Sequence, residues 1–182
     1  MQQNNSKLMY HCKIFEVWEE EVLFPNGKHA KQSRIDHLPT VAVIAVNAGK
    51  EIFLIKQYRN AVKKTLWEIP AGTLSSLEEP PLSCAQRELA EETGFQAGIF
   101  IPLFEGYLLP GYCNEYMYFF LAEDLFPAPL PPDEDEFIEL HPTGIMQAKS
   151  LLASGKIIDA KTALGIILAD NYLNKAQRVK TT

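Results

Sequence analysis

The chain has 182 residues, of which 47% are hydrophobic and 22% are charged, and its formal net charge is −6. These proportions are typical of a globular domain, and they exclude a disordered chain, a collagen and a low-complexity fibre. An acidic chain does not attract a nucleic-acid backbone through its overall field, so we expect no nucleic-acid partner. Any phosphate that the protein binds would have to be held locally, by a few arginines or by a bridging cation.

Cysteine usage and the polar N-terminal segment favour a cytoplasmic protein. The three cysteines, Cys12, Cys84 and Cys113, are far apart and match neither a zinc motif nor an even disulfide framework. The first residues lack the apolar stretch of a signal peptide, and no apolar run approaches the roughly 20 residues that a membrane span requires. We therefore expect no membrane partner.

Residues 1–38 predict a small N-terminal β module, which precedes a main domain at residues 39–182. Within the module, residues 1–8 predict a frayed tail. Residues 13–24 are rich in β-branched and aromatic side chains, end at a Pro-Asn-Gly turn, and are followed by an extended segment at 28–37. One small sheet cannot easily bury these aromatic side chains by itself.

The main domain is predicted to be α+β with a mixed sheet, because strands and predicted hairpins alternate with only a few helices. The two apolar strands at 40–46 and 51–58, joined by the turn at 47–50, predict an antiparallel hairpin. Further strands are predicted at 65–69, 95–105, 116–122 and 137–140, with helices between Pro81 and Gly94, at 144–154, and after the N-cap Asp159.

The first of these helices carries a cluster of carboxylates. Glu88 and Glu92 lie one turn apart on the same face, Glu91 is adjacent, and Arg87 is the one basic side chain close to them. Carboxylates this close repel one another by roughly a few tenths of a kcal/mol per pair. A divalent cation with oxygen ligands, Mg²⁺ or its substitute Mn²⁺, would neutralise them. The alternative is a solvated acidic face with an i,i+4 salt bridge.

The segment from Arg87 to Phe95 resembles the signature of the Nudix hydrolase family, with Gly72 as its opening residue. Six residues separate Gly72 from Glu79, one more than in the family pattern, and Glu78 is the alternative equivalent of the first signature glutamate. We place the extra residue in the loop at 73–78, because a loop absorbs an insertion more easily than a helix.

The resemblance extends over roughly residues 40–170 and favours the ADP-ribose pyrophosphatase branch of the family. It rests on several segments in the same order: Gln57-Tyr58-Arg59, residues 67–72, Pro110 at fifteen residues after Phe95, the acidic loop at 133–139, and Asp159-Ala160-Lys161-Thr162. The resemblance implies a Nudix fold, an α/β/α sandwich with a mixed sheet. It also implies a homodimer and Mg²⁺-dependent hydrolysis of ADP-ribose, or a related nucleoside diphosphate sugar, to AMP and ribose 5-phosphate.

The resemblance also implies roles for individual residues. Glu88, Glu92 and the backbone carbonyl of Ala71 would bind the metals, and Glu91 would be a further ligand or a supporting catalytic carboxylate. Arg87 would fix the rotamer of a neighbouring glutamate, while Glu79 would cap the helix or contact a metal.

The remaining candidates concern the substrate and the water that attacks it. Glu134 or Glu136 in the acidic loop is the candidate base for that water. Arg59 would contact the substrate phosphates with its forked guanidinium, or else form a structural salt bridge. Three further substrate-binding candidates are Arg34 for the adenine or its ribose, Glu115 for a terminal ribose hydroxyl, and the branch marker Pro110.

Two other function classes stay open at this point. A non-catalytic Nudix domain that senses an ADP-ribose-like ligand would have lost metal-binding glutamates, whereas all of them are present here. A scaffold with an acidic face would bind no metal tightly. The sequence leaves open the physiological substrate, the number of metals, the identity of the base, and the phosphorus that is attacked.

Overall fold

The computed structural model describes residues 6–131 and 137–180, with side chains described as far as residue 175. Ten strands and three helices follow one another along these residues: β1 (Ser6–His11), β2 (Phe15–Leu23), β3 (His29–His37), β4 (Thr40–Ala45), β5 (Glu51–Arg59), β6 (Lys64–Glu68), β7 (Ala71–Thr73), α1 (Pro81–Thr93), β8 (Phe95–Tyr107), β9 (Tyr116–Pro127), β10 (Ile138–Gly144), α2 (Ile145–Ala153) and α3 (Ala160–Lys180).

Strands β1, β2 and β3 form an antiparallel three-stranded sheet at the N-terminus. The prediction of a frayed tail over residues 1–8 was wrong from Ser6 onward, because β1 pairs with β2 through the register Ser6–Glu20 to His11–Glu16. Several apolar side chains of this sheet are exposed, among them Leu8, Met9 and Tyr10.

The main sheet is mixed and has the strand order β7-β4-β9-β8, with β4 parallel to β9 and the other neighbours antiparallel. Every residue of β4 is buried, as expected of a central strand covered on both faces. One face of β4 packs in the core that contains Leu89 of α1, and the other packs in the core that contains Ala148 of α2 and Ile166 of α3. This helix–sheet–helix layering agrees with the predicted α+β architecture, an α/β/α sandwich with a mixed sheet.

The predicted hairpin of β4 and β5 was wrong, although the turn between them exists. The Asn47 amide donates to the carbonyl of Glu51, and the Asn47 side chain accepts from the Glu51 amide. After a single bridge between Val46 and Ile52, the two strands enter different sheets. Strand β5 pairs with β6 and β10 in a second sheet, where its residues from Ile52 to Ile55 are buried.

Helix α1 begins and ends at the residues that the sequence predicts. Pro81 occupies its first turn, where the missing amide hydrogen costs nothing. Gly94 ends it with φ of 76°, a left-handed conformation that favours glycine, and donates its amide to the carbonyl of Ala90. Among the residues that the structure describes, no helix combines the length and the apolar character needed to cross a membrane.

Candidate active site

A cavity of about 690 Å³ opens beside the C-terminal half of α1. Its wall comes from the β1–β2 turn, the ends of β3 and β5, the strand β7, the helix α1, the segment between β8 and β9, and the start of α3. The charged side chains that line it are Lys13, Arg59, Arg87, Glu88, Glu91, Glu115, Asp159 and Lys161. The cavity is therefore lined by both acidic and basic side chains, and a concave site with a few converging polar groups is typical of a ligand-binding site.

The carboxylates of Glu88 and Glu92 are buried rather than solvated. Glu88 is 9% exposed and Glu92 is 6% exposed, because their face of α1 packs toward β7. A Glu92 carboxylate oxygen accepts the amide hydrogen of Ala71 at 2.9 Å. Burying two neighbouring carboxylates is costly unless they are paired or bind a cation. The solvated acidic face, the alternative open at the sequence level, does not describe this helix.

Gly72 is the residue that lets α1 approach β7 this closely. A Cβ atom added at Gly72 would lie 1.9 Å from Cδ of Glu88. No real Cβ makes a contact of that length, so any larger residue would displace the carboxylate or the strand. The opening glycine of the signature is thus required by packing against Glu88 and not by an unusual turn.

Arg87 holds the neighbouring carboxylates of the helix. One of its terminal nitrogens donates to Glu88 at 2.7 Å and to Glu91 at 2.9 Å, and its Nε lies 3.5 Å from a carboxylate oxygen of Glu79. Its other terminal nitrogen donates to the carbonyl of Thr73 at 3.2 Å. Arg87 thereby ties α1 to the end of β7 and restricts the rotamers of the carboxylates.

The charges around Arg87 also set the pKa values of this cluster. Burial works to lower the pKa of Arg87, but the charge and hydrogen bond of Glu88 outweigh it, so the pKa is raised and the guanidinium stays charged. Burial, together with the charge of Glu88, raises the pKa of Cys84 to about 12. Cys84 therefore remains a neutral thiol at the base of the cluster.

The structure distinguishes the two candidates for the first signature glutamate. Burial works to raise the pKa of Glu79, but the backbone amide of Ser75, which donates to its carboxylate, and the charge of Arg87 hold it below its ordinary value. Glu78 is exposed. Glu79 is therefore the glutamate that joins the Arg87 cluster, and the loop that precedes it accommodates the extra residue.

The chemistry of this cluster fits a hard divalent cation. Within residues 6–131 and 137–180, no three His, Cys, Asp or Glu side chains form a metal-holding cage by themselves. Mg²⁺ does not require such a cage, because it takes one or two carboxylates and completes its shell with waters and phosphate oxygens. The buried carboxylates of Glu88 and Glu92, beside the backbone of Ala71, supply oxygen donors of the right kind.

Arg59 also lines the cavity and is held by a carboxylate that carries no predicted role. Its Nε and one terminal nitrogen donate to the two carboxylate oxygens of Glu68, both at 2.8 Å. Glu68 is 1% exposed, whereas the side chain of Arg59 is 38% exposed. The salt bridge foreseen as the alternative role of Arg59 exists, and the guanidinium also reaches the cavity.

Lys161 extends this second cluster to the start of α3. Its ammonium contacts the Glu68 carboxylate and lies 3.0 Å from an oxygen of Asp159. Asp159 is the predicted N-cap, since it accepts the amide of Thr162 at 3.0 Å. The hydroxyl of Thr162 donates to Asp159 at 2.6 Å and accepts the amide of Ile69 at 2.9 Å, which joins the helix to the end of β6.

Two of the predicted substrate-binding residues line a different cavity. Arg34 and Pro110 border a space of about 500 Å³ between β3 and the segment that joins β8 to β9. Arg34 pairs with Glu20 at 2.9 Å and with Asp36, and it lies over the ring of Trp18 with its Cζ 5.7 Å from the centroid. Their contact with substrate stays a prediction.

The other predicted residues divide between the large cavity and the undescribed part of the chain. Glu115 lines the large cavity and accepts the hydroxyl hydrogen of Thr40 at 3.0 Å. Ala71, Arg59, Arg87, Glu88 and Glu91 line the same cavity. Glu134 and Glu136 lie outside the described residues.

Sequence reasoning missed Glu68 and Lys161 as members of this site. Both occur in segments that carry the family resemblance, but they are 93 residues apart in sequence. The available signal was the position of Glu68 within the predicted strand at 65–69, because a glutamate that becomes buried in a core has to be paired.

A model of the NUDIX domain matches residues 36–162, which is more than half of the chain. The chain belongs to the Nudix family. The ADP-ribose pyrophosphatase of Bacillus subtilis (strain 168) is 39% identical over 160 residues, which cover 87% of this chain and 86% of that protein. The prediction of a Nudix hydrolase that resembles the ADP-ribose pyrophosphatase branch is confirmed.

This Nudix chain is also similar to a second curated relative and to a solved structure. A methanol dehydrogenase activator of Bacillus methanolicus is 31% identical over 174 residues, which cover 94% of this chain and 91% of that protein. The crystal structure of an ADP compounds hydrolase superposes with a TM-score of 0.85 over 98% of both chains. Its sequence is 22% identical, so this likeness shows the shared fold.

Proposed function

We propose that the protein is a Mg²⁺-dependent pyrophosphohydrolase that cleaves ADP-ribose to AMP and ribose 5-phosphate. The observation that carries the proposal is the pair of buried carboxylates, Glu88 and Glu92, on the helix that borders the same cavity as Arg59 and Lys161. The similarity to an ADP-ribose pyrophosphatase over most of both chains supports the choice of substrate. A related nucleoside diphosphate sugar is the close variant of this proposal.

The two charged clusters would divide the work on the diphosphate. Glu88, Glu92 and the carbonyl of Ala71 would hold Mg²⁺, or Mn²⁺ in its place, with Glu91 as a further oxygen donor. When bound, such cations polarise phosphoryl oxygens and lower the pKa of a water molecule. Arg87 keeps the carboxylates in place, and Glu79 keeps Arg87 oriented.

Arg59, which lines the same cavity, would bind the diphosphate oxygens. Its guanidinium is planar and carries several N–H donors, so one edge can meet Glu68 while another meets phosphate. Glu115, fixed by Thr40, would accept a hydrogen bond from a hydroxyl of the terminal ribose.

The reaction would be attack by water on one phosphorus of the diphosphate. The water oxygen bonds to phosphorus, the bridging P–O bond breaks, and the bridging oxygen leaves with the other phosphate. Glu134 or Glu136, in the acidic loop, would take the proton of the water. A base on a loop would reach the water only over bound substrate, which limits idle hydrolysis.

The N-terminal module is proposed to serve a homodimer. Its sheet exposes Leu8, Met9 and Tyr10, and such a group of apolar side chains is typical of an interface. Arg34 and Pro110, which line the smaller cavity, would contact the adenine or its ribose.

We also propose that the enzyme works in the cytoplasm, where nucleotide sugars are available and thiols stay reduced.

The proposal is tested by incubating the purified protein with ADP-ribose, ADP-glucose, GDP-mannose and NADH, with and without Mg²⁺. We expect fastest turnover of ADP-ribose, release of AMP and ribose 5-phosphate, and no turnover when EDTA removes the cation. Faster turnover of another sugar nucleotide would contradict ADP-ribose as the substrate but would support the proposed pyrophosphohydrolase reaction. Absence of turnover with all four compounds would contradict the enzymatic proposal.

A further inference from the structure

We propose that Glu68 is a positioning residue that holds Arg59 at the cavity wall in the orientation that meets the diphosphate. This inference rests on the proposed function, because it assigns Glu68 a task in binding the substrate of that reaction. Glu68 does not itself line the cavity, so it acts through the guanidinium.

The geometry of the pair is that of a fixed fork. Both carboxylate oxygens of Glu68 are used by two nitrogens of one guanidinium, at 2.8 Å each. Two parallel bonds prevent the guanidinium from rotating, which one bond would allow. A long arginine side chain otherwise loses rotamer freedom when substrate binds, and that loss weakens binding. A guanidinium that is already held loses much less.

Glu68 can serve as such an anchor because three secondary-structure elements fix it in place. It ends β6, it is 1% exposed, and its main chain pairs with Ile55 of β5. Lys161, in the first turn of α3, contacts the same carboxylate and is itself held by Asp159 at 3.0 Å. The position of the Arg59 guanidinium is therefore fixed by a carboxylate in the protein core and not by a surface loop.

The charges around Glu68 leave Arg59 as the member of this cluster that can meet an anion in the cavity. Burial works to raise the pKa of Glu68, but the hydrogen bond of Arg59 and the charges of Lys161 and Arg59 outweigh it, so the carboxylate stays ionised. Lys161 and Asp159 neutralise each other beside it. The side chain of Arg59 is the exposed member of the cluster, which places its charge where an anion can reach it.

The first variant is Glu68→Gln, compared with wild type on ADP-ribose and on its α,β-methylene analogue. A glutamine can accept one hydrogen bond but cannot form the fork. We expect KM for ADP-ribose and Kd for the analogue to rise by about 10-fold to 100-fold, with a smaller change in kcat. The matched control is Asp170→Asn, which breaks the 2.7 Å ion pair with Lys149 away from the cavity and should leave KM unchanged.

A second variant keeps the experiment decisive if Glu68→Gln does not fold. Arg59→Lys retains the positive charge and removes the fork, and we expect it to raise KM to a similar extent. In the Arg59→Lys background, adding Glu68→Asp should change KM less than twofold, because the fork is already lost. Glu68→Asp alone, which keeps a carboxylate, should restore part of the affinity that Glu68→Gln loses.

The outcomes separate this inference from the proposed function. Wild-type turnover of ADP-ribose, with unchanged KM in Arg59→Lys and in folded Glu68→Gln, would overturn the positioning role and leave the proposed function intact. A lower melting temperature with unchanged KM would show that Glu68 only stabilises the fold, which also overturns the inference. No turnover and no analogue binding by wild type would overturn both.

Discussion

The two charged clusters of the large cavity have opposite balances of charge. On α1, one guanidinium, that of Arg87, faces three carboxylates. At the junction of β5, β6 and α3, the cations Arg59 and Lys161 face the carboxylates of Glu68 and Asp159. The first cluster therefore has an excess of negative charge, and the second is neutral.

This difference indicates what each cluster would do with a diphosphate. An excess of buried carboxylate is costly, so the α1 cluster gains stability when a divalent cation binds. The neutral cluster gains little from any ion of its own. This cluster instead serves to orient Arg59, because its buried groups fix the direction of the guanidinium. A diphosphate between the two would contact cations on one side and a rigid guanidinium on the other.

The largest expected effect comes from removing one carboxylate of the α1 cluster. Glu92→Gln keeps an oxygen that can accept the Ala71 amide, so the fold should survive. The charge is lost, and we expect kcat to fall at least about 100-fold. Steady-state kinetics and circular dichroism check the two expectations. Glu78→Gln, at an exposed position one residue before Glu79, is the control. Equal activity of both variants would remove Glu92 from the site.

A smaller loss should follow when the cluster is displaced without changing its charge. In Gly72→Ala the new Cβ would lie 1.9 Å from Cδ of Glu88, so the carboxylate must move by about 1 Å or more. We expect kcat to fall by up to roughly 100-fold, less than in Glu92→Gln. Gly144→Ala is the matched control, since nothing lies within 4 Å of a Cβ there and its φ of −59° suits alanine. An active Gly72→Ala enzyme would show that the position of Glu88 is unimportant.

Much of the first cluster could be predicted from sequence, because its members, from Glu79 to Glu92, lie within fourteen consecutive residues at and just before one helix. Helical periodicity alone places Glu88 and Glu92 on one face, and Pro81 and Gly94 mark the ends of that helix. The burial of the two carboxylates could not be foreseen, since it depends on the approach of β7 at Gly72. Local rules describe a helix face but not the strand that covers it.

The second cluster could not be assembled from sequence in the same way. The sequence predicts Arg59 as a phosphate contact, but its partner Glu68 lies at the end of another strand and Lys161 lies in the last helix. The hairpin prediction for β4 and β5 failed for a related reason. The turn between them is local, whereas the choice of sheet depends on strands far along the chain.

A change in the second cluster that spares both cations should affect stability more than activity. The hydroxyl of Thr162 is fully buried and links Asp159 to the amide of Ile69. Thr162→Val keeps the shape and leaves that amide without its acceptor, so we expect a loss of about 1–3 kcal/mol in the free energy of unfolding. Urea denaturation measures it, with Thr65→Val at an exposed strand position as control. Equal losses in the two variants would contradict the role of this hydroxyl.

The smallest expected effect is a difference in the pH dependence of stability. The folded pKa of Glu68 lies below its ordinary value of 4.5, so as pH falls the unfolded chain takes up this proton first. The stabilisation from Glu68 is therefore present above pH 4.5 and lost as pH falls through the folded pKa. We expect urea midpoints between pH 5 and pH 3 to fall more steeply for wild type than for Glu68→Gln. Parallel curves would indicate that the pKa of Glu68 is the same in both states.

The most direct measurement is a crystal structure of the protein with Mg²⁺ and the α,β-methylene analogue of ADP-ribose. We expect cations against Glu88 and Glu92, with the diphosphate of the analogue between them and the guanidinium of Arg59. An analogue bound in the 500 Å³ cavity alone, with the α1 carboxylates facing solvent and no cation beside them, would contradict the central claim.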